Sequence, residues 1–127
     1  MESGKDFILM DFSADLAKLD KALALERLGG DEELLQEVAT LFLEEYPVLL
    51  AEIRRGIDSQ DAIQLERAAH SLKGSVANFG SDAAWQAAFE LEKLGREKQL
   101  DGAESAYANL VVVMNGIEPE LLQIASR

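Results

Sequence analysis

The stretch AAHSLKGSVANFG, residues 68–80, contains the only histidine of the 127-residue chain. Apolar residues recur through it and before it at the three- and four-residue spacing typical of a helix buried along one side. On a helical wheel centred on Leu72, the face within about 60° of that residue is apolar. This stripe consists of Leu65, Ala68, Ala69, Leu72, Val76 and Phe79. It predicts a helix that ends at Gly80 and packs against other helices.

The opposite face of this helix carries the histidine. His70 lies about 160° from Leu72, Gly74 about 200° and Ala77 about 140°, so the ring is expected to project outward beside small residues. A glycine inside a helix costs about 1 kcal/mol relative to alanine. We expect the compensating gain to be access, because the backbone of another protein can approach the ring closely over Gly74.

Four other residues of the helix surround this outward face. Lys73, about 100° from Leu72 on the wheel, could pair with an anion bound at the ring. Ile63 offers a small apolar contact, and Glu66 and Arg67 complete the candidate docking surface. A simpler interpretation remains open, in which a helical interaction module carries an incidental surface histidine.

Helical spacing extends over most of the chain on both sides of this stretch. We expect a short first helix over residues 19–28, stopped by the breaker pair Gly29–Gly30. A long second helix is expected to begin after Asp31 and to kink at Pro47. Its buried side is expected to contain Leu34, Leu35, Val38, Leu41, Phe42, Leu49 and Ile53.

Three more helix starts follow from capping residues and apolar spacing. Asp58 or Ser59 is expected to cap the histidine helix, Ser81 or Asp82 the helix after it, and Asp101 to open the last. The last helix has an apolar seam of Ala103, Tyr107, Leu110, Met114, Ile117, Leu121 and Ile124. The seam favours one long helix with a bend near Pro119, and a break at Gly116 is the alternative.

Four long amphipathic helices joined by short polar links predict an all-α fold. The economical arrangement is an antiparallel up-down four-helix bundle with a short extra N-terminal helix. We expect residues 19–127 to form the bundle and residues 1–18 to form an N-terminal tail or strap.

A side chain of the following helix is expected to orient the histidine ring. With the turn between the two helices centred near Gly80, an antiparallel hairpin places His70 level with about residue 91. Glu92 is the polar residue nearest that level, and its carboxylate could accept a hydrogen bond from the imidazole. Glu66, one turn before the histidine, competes for the same role.

Composition argues against several classes of function. The chain has no cysteine and one histidine, so a transition-metal site is not expected, and no calcium-loop spacing is present. Nucleotide-binding loops and kinase motifs are also missing. We therefore expect no cofactor or metal of its own, no autonomous kinase or phosphatase activity, and, with no apolar run long enough to span a bilayer, no membrane partner and a cytoplasmic location.

The formal net charge of −12 makes nucleic acid an unexpected partner, because the phosphate backbone is repelled. Around His70 the balance is different. Arg67 and Lys73, with Lys93 and Arg96 on the next helix, are expected to form a local basic window.

An imidazole in this setting suits phosphoryl chemistry. Its unperturbed pKa of about 6.5 leaves a free lone pair near neutral pH. Attack of His70 on an activated phosphoryl group would give a phosphohistidine, whose added negative charge Lys73 could offset.

The motif AHSLKG followed by Gly80 resembles the signature of the histidine-containing phosphotransfer (HPt) domain, His-x-Leu-Lys-Gly with a second glycine downstream. The residues that carry it are His70, Leu72, Lys73, Gly74 and Gly80. The segment GGDEELLQEVATLFLEEYPVLLAEI upstream and the pair Leu91–Glu92 downstream are similar too. The resemblance covers residues 19–124, nearly the whole chain.

The resemblance implies a phosphorelay intermediate. His70 would accept a phosphoryl group from the aspartyl phosphate of a receiver domain and pass it to another receiver aspartate. It further implies that Lys73 supports the phosphate, that Gly74 lets the receiver approach, that Glu92 hydrogen-bonds the ring and that Gly80 forms the turn.

The partners implied are response-regulator receivers or a hybrid sensor histidine kinase, with Mg²⁺ supplied by the receiver and the chain acting as a monomer. Trp85 and Phe89 depart from the family pattern, because we expect aliphatic residues there. We favour Trp85 as a core residue, with the rim of the docking surface as the alternative.

Overall fold

The computed structural model describes residues 18–126 and confirms the all-α prediction. Residues 1–17, most of the predicted tail or strap, and residue 127 lie outside the described residues. The helices are α1 (Lys21–Arg27), α2 (Glu32–Asp58), α3 (Ala62–Ala77), α4 (Asp82–Arg96) and α5 (Ala103–Ala125), with a 3₁₀ turn at Leu100–Gly102 before α5.

The four long helices surround one hydrophobic core, and each packs against two of the others. Helix α2 packs against α3 and α5, and α4 packs against the same two helices, while α1 packs against α2. The predicted stripe of α3 is fully buried, and so are the α5 seam residues apart from half-buried Tyr107. This arrangement is the predicted four-helix bundle with a short extra helix at its N-terminal side.

Side-chain caps begin four of the helices. Asp20, Asp31, Asp61 and Ser81 each accept a hydrogen bond from the backbone N–H three residues later. The prediction of Asp31 is confirmed, and Ser81 rather than Asp82 caps α4. The prediction for α3 is wrong, because α2 continues through Asp58 and Asp61 is the cap.

The predicted buried side of α2 is wrong at two positions. Leu34 and Leu41 are 38% and 64% exposed. Each precedes a seam residue, Leu35 or Phe42, and so lies about 100° around the helix from the core.

Helix α5 runs without a break from Ala103 through Gly116 and Pro119 to Ala125, which confirms the single long helix. Its start differs from the prediction. Asp101 lies inside the 3₁₀ turn, and Gly102 precedes the first α-helical residue without a side-chain cap.

Two glycines bring α3 close to its neighbours at its N-terminal half. A Cβ added at Gly56 of α2 would lie 2.9 Å from the backbone nitrogen of Leu65, and one at Gly95 of α4 would lie 2.8 Å from that of Glu66. Real Cβ atoms do not approach so closely. The close approach at Gly95 brings the α4 side chains within reach of the outward face of α3.

Candidate functional site

The only histidine of the chain lies on the exposed face of α3, as predicted. Its side chain is 66% exposed, whereas Ala69 and Leu72 beside it in the sequence face the core and are fully buried. The ring is therefore accessible to another molecule while its helix is fixed by the core.

A buried carboxylate lies directly behind the ring. Glu92 of α4 is 3% exposed, and its Oε2 is 3.0 Å from His70 Nδ1. The same oxygen accepts a hydrogen bond from Arg96 Nη2 at 2.6 Å, and Oε1 lies 2.8 Å from Lys73 Nζ. Glu92 lies next to the histidine, as predicted. Its carboxylate contacts three basic side chains, those of His70, Lys73 and Arg96.

Glu66 does not share this role. Its Oε2 accepts from Arg96 Nε at 3.4 Å and has no contact with the ring among the described hydrogen bonds. The two candidates for orienting the ring are therefore distinguished by geometry: Glu92 contacts it, and Glu66 contacts the arginine that also binds Glu92.

The charge state of Glu92 follows from its surroundings. Burial raises the pKa of this carboxyl, but hydrogen bonding and charge from Lys73 and His70 outweigh burial and hold the pKa below its usual value. Glu92 is thus a carboxylate at neutral pH and can only accept hydrogen bonds. Nδ1 of His70 must then donate the hydrogen bond of the pair, so Nε2 is the ring nitrogen that can present a lone pair.

Lys73 is held in place by α4 and not extended into water. Its side chain is 18% exposed, and Nζ lies 5.3 Å from the Trp85 ring centroid and 5.2 Å from that of Phe89. Trp85 is half-buried and packs against the core, in keeping with the core position favoured above.

Small residues line one side of the surface next to His70. Gly74 is exposed, and a Cβ added there would meet nothing within 4 Å. The bundle therefore does not require a glycine at this position, and the open space belongs to the outward surface. Ala77 is half-buried on the same side, and its carbonyl accepts from Arg27 Nη1.

The remaining docking candidates lie at the other end of the face. Ile63 is 57% exposed, Arg67 is exposed, and both line a shallow groove between α2 and α3 together with Arg55 and Ser71. These residues share one helix face with the histidine, as the wheel predicts.

Gly80 occupies the turn between α3 and α4 in the left-handed region, with φ of +71°. A Cβ there would lie 2.7 Å from Asp20 Cβ. Asp20 in turn donates its backbone N–H to the Phe79 carbonyl at 2.8 Å. The glycine thus serves both the turn and the close contact of the N-terminal segment with it.

Sequence analysis missed that Trp85 and Phe89 are neighbours of Lys73. The signal was present in the hairpin register used for Glu92, since the same register places Lys73 level with Ala88, between the two aromatic residues. The separation of Lys73 from solvent could not be read from the helical wheel, because it depends on the bulk of side chains on α4.

Within residues 18–126, no cluster of three or more acidic, histidine or cysteine side chains could hold a metal ion. None of the helices in the same range is long and apolar enough to cross a membrane.

Fold and site together describe a helical bundle that presents one exposed histidine, backed by a buried carboxylate and a lysine. The sequence model of the Hpt domain matches residues 37–125. The chain therefore belongs to the Hpt domain family, and its role is histidine phosphotransfer in a phosphorelay.

Two solved structures share the fold. Histidine-containing phosphotransfer protein B (HptB) from Pseudomonas aeruginosa PAO1 is 21% identical with a TM-score of 0.79, covering 86% of this chain and 95% of that one. The HPT domain of a sensor hybrid histidine kinase from Shewanella is 19% identical with a TM-score of 0.76, covering 87% and 96%. No protein with a curated description matches the chain in sequence.

Proposed function

We propose that His70 Nε2 is the phosphoacceptor of this Hpt domain. The observation that carries the proposal is the exposed ring whose Nδ1 faces the buried Glu92 carboxylate at 3.0 Å. A carboxylate on one nitrogen fixes the tautomer and leaves the other nitrogen as the nucleophile. Nε2 is that other nitrogen.

The reaction is a displacement at phosphorus. The Nε2 lone pair forms the N–P bond while the P–O bond of the donor's acyl phosphate breaks, and its electron pair leaves with the donor's aspartate carboxylate. The ring becomes positively charged with its Nδ1 proton still directed at Glu92, whose negative charge stabilises it. Lys73 offsets the charge of the transferred phosphoryl group.

The donor and acceptor are receiver domains, free or within a hybrid sensor kinase, as family membership supports. The open space over Gly74, beside the small side chain of Ala77, accommodates the receiver backbone, and Ile63, Glu66 and Arg67 extend the contact along α3. In this proposal Mg²⁺ is held by the receiver's carboxylates, and we expect the carrier to need no metal ion of its own.

The chain acts as a monomeric cytoplasmic carrier, without kinase or phosphatase activity of its own. It offers one nucleophile and one supporting cation, whereas a kinase also needs a nucleotide site and metal ligands. The alternative of an interaction module with an incidental histidine is not favoured, because it leaves the Glu92–His70 contact without a purpose.

The experiment is phosphorylation by phosphoramidate, followed by phosphate-affinity electrophoresis and ³¹P NMR. We expect one acid-labile, base-stable phosphoryl group per chain on the imidazole nitrogen remote from the backbone. EDTA should leave this labelling intact and abolish onward transfer to a receiver, because only the second step uses the receiver's Mg²⁺.

The control is His70→Gln, which retains a polar side chain of similar reach on the exposed face and should fold normally by circular dichroism. It should carry no label. A label of equal stoichiometry in folded His70→Gln would disprove His70 as the acceptor, and a label on Nδ1 would disprove the proposed role of Glu92.

A further inference from the structure

The ammonium of Lys73 has two kinds of neighbour. On one side Nζ lies 2.8 Å from Glu92 Oε1. On the other it lies over two aromatic rings, 5.3 Å from the centroid of Trp85 and 5.2 Å from that of Phe89. The rings stack on each other with centroids 5.3 Å apart and 25° between their planes.

These rings replace much of the water that an ammonium group normally holds. The Lys73 side chain is 18% exposed, and attraction between a cation and an aromatic face is stronger where water is excluded. Trp85 and Phe89 are one helical turn apart on α4, so both faces are fixed by the same helix. The lysine therefore has a defined location beside His70, although its side chain has four rotatable bonds.

The contact of Lys73 with Glu92 differs from the other contacts of that carboxylate. Oε2 accepts directed hydrogen bonds from His70 and Arg96, whereas Oε1 accepts no aligned hydrogen bond from the described residues. Lys73 Nζ nevertheless lies 2.8 Å from Oε1 and helps to lower the pKa of Glu92. Because an ammonium has three N–H donors, Lys73 can direct another of them at a second anion without leaving the rings.

We propose that Trp85 and Phe89 are positioning residues that hold the Lys73 ammonium where it meets the phosphoryl group on His70. The inference rests on the proposed phosphorylation of His70 and adds the aromatic pair to it. During transfer Lys73 exchanges Glu92 Oε1 for a phosphoryl oxygen while remaining over the rings, and Arg96 continues to neutralise Glu92.

The test compares the rate of phosphohistidine formation from phosphoramidate in Trp85→Leu and Trp85→Phe. Both replacements fill the site with an apolar group, but only phenylalanine offers a ring face. We expect Trp85→Leu to slow phosphorylation about threefold to tenfold and Trp85→Phe to restore most of the rate, in line with the strength of cation–π contacts. Tyr107→Leu is the matched control. Tyr107 lies on α5, away from His70, and its ring makes a cation–π contact with Arg54, so its loss should leave the rate unchanged.

A double-mutant cycle separates positioning from simple packing. In a Lys73→Met background the lysine is gone, so Trp85→Leu should have no further effect on the rate. An equal slowing by Trp85→Leu with and without Lys73, or equal rates in Trp85→Leu and Trp85→Phe, would overturn the proposal.

A second set of variants and the wild-type chain cover the remaining outcomes of the experiment. Should Trp85→Leu unfold, Phe89→Leu and Phe89→Tyr give the same comparison on the second ring. Absence of any phosphohistidine in the wild-type chain would count against His70 as acceptor, whereas normal phosphorylation with no coupling between Trp85 and Lys73 would count against the aromatic pair alone.

Discussion

At the scale of single residues, Glu92 determines the electrostatics of the site. It is nearly fully buried and balances Lys73, Arg96 and the polarised ring of His70. Burial raises the pKa of this carboxyl, but hydrogen bonds and charge from Lys73 and His70 outweigh burial and hold the pKa below its usual value. A carboxyl whose pKa is lower in the folded than in the unfolded chain stabilises the fold above the unfolded pKa, and that stabilisation is lost as pH falls through the folded value.

We predict that Glu92→Gln lowers the free energy of unfolding at pH 7 by about 1–3 kcal/mol, less than for a fully buried ion pair because Arg96 is half exposed. The difference from wild type should shrink as pH is lowered below 4.5, the ordinary value for a glutamate. Urea unfolding at a series of pH values measures it. Glu66→Gln, at the exposed end of the same network, should cost about 0.5 kcal/mol or less; a pH-independent loss in Glu92→Gln would contradict the prediction.

The sequence predicts which side chains form much of this site, but it does not predict all of the contacts among them. The helical wheel placed His70, Gly74 and Arg67 on the outward face correctly, because that face depends only on helical geometry. The hairpin register found Glu92 but left Glu66 open. The choice between them depends on the close approach of α3 and α4 at Gly95, and a glycine in a sequence does not say which backbone it faces.

At the scale of the helix, Gly74 is a local weakness with no structural reason inside the bundle. A Cβ there meets nothing within 4 Å, and the residue lies inside α3. Stability and function should therefore respond to this position in opposite directions.

We predict that Gly74→Ala stabilises the fold by up to about 1 kcal/mol through helix propensity, measured as a higher midpoint of thermal unfolding. Transfer to a receiver should become about threefold slower or worse, because the added methyl group occupies the docking surface. Labelling by phosphoramidate, a small donor, should be unchanged.

Gly116→Ala is the matched control, since that glycine is exposed in α5, diagonally across the bundle from α3. It should stabilise similarly without slowing transfer. Receiver transfer at the wild-type rate in Gly74→Ala would show that the glycine is not there for access.

Helix boundaries show where sequence reasoning at this scale fails. The cap at Asp31 follows from the sequence because helical spacing begins directly after it, whereas Ser81 and Asp82 both suit the start of α4 and only the structure selects Ser81. The start of α3 is predicted too early, at Asp58 or Ser59, because both residues suit an N-cap by type. In the structure Asp58 is the last residue of α2 and accepts a hydrogen bond from Arg54 one turn earlier, and Asp61 caps α3.

At the scale of the whole molecule, the charge distribution opposes the expected partner. The net charge is −12, and a receiver's metal-binding site is itself acidic. Long-range repulsion is therefore expected between them, and cations near His70 have to offset it locally. Arg96 is committed to Glu66 and Glu92, whereas Arg67 is exposed at the edge of the docking face.

We predict that Arg67→Glu slows association with a phosphorylated receiver about threefold to tenfold at low salt, with a smaller effect at high salt, because exposed charges act mainly on the association rate and are screened. Stopped-flow transfer kinetics at several salt concentrations measure this. Lys98→Glu changes the net charge equally but lies in the link after α4 and should have a smaller effect. Equal slowing by both variants would assign the effect to net charge instead of a local window.

Because of the close glycine contacts at Gly56 and Gly95, the inner and outer faces of the histidine helix differ in how well they tolerate substitution. At Gly56 and Gly95 the backbone of α3 leaves no room for even a Cβ atom. Outward positions such as Ile63 and Arg67 are exposed. Substitutions on the outer face can therefore change which receiver domain the carrier binds, while the bundle that presents the imidazole stays the same.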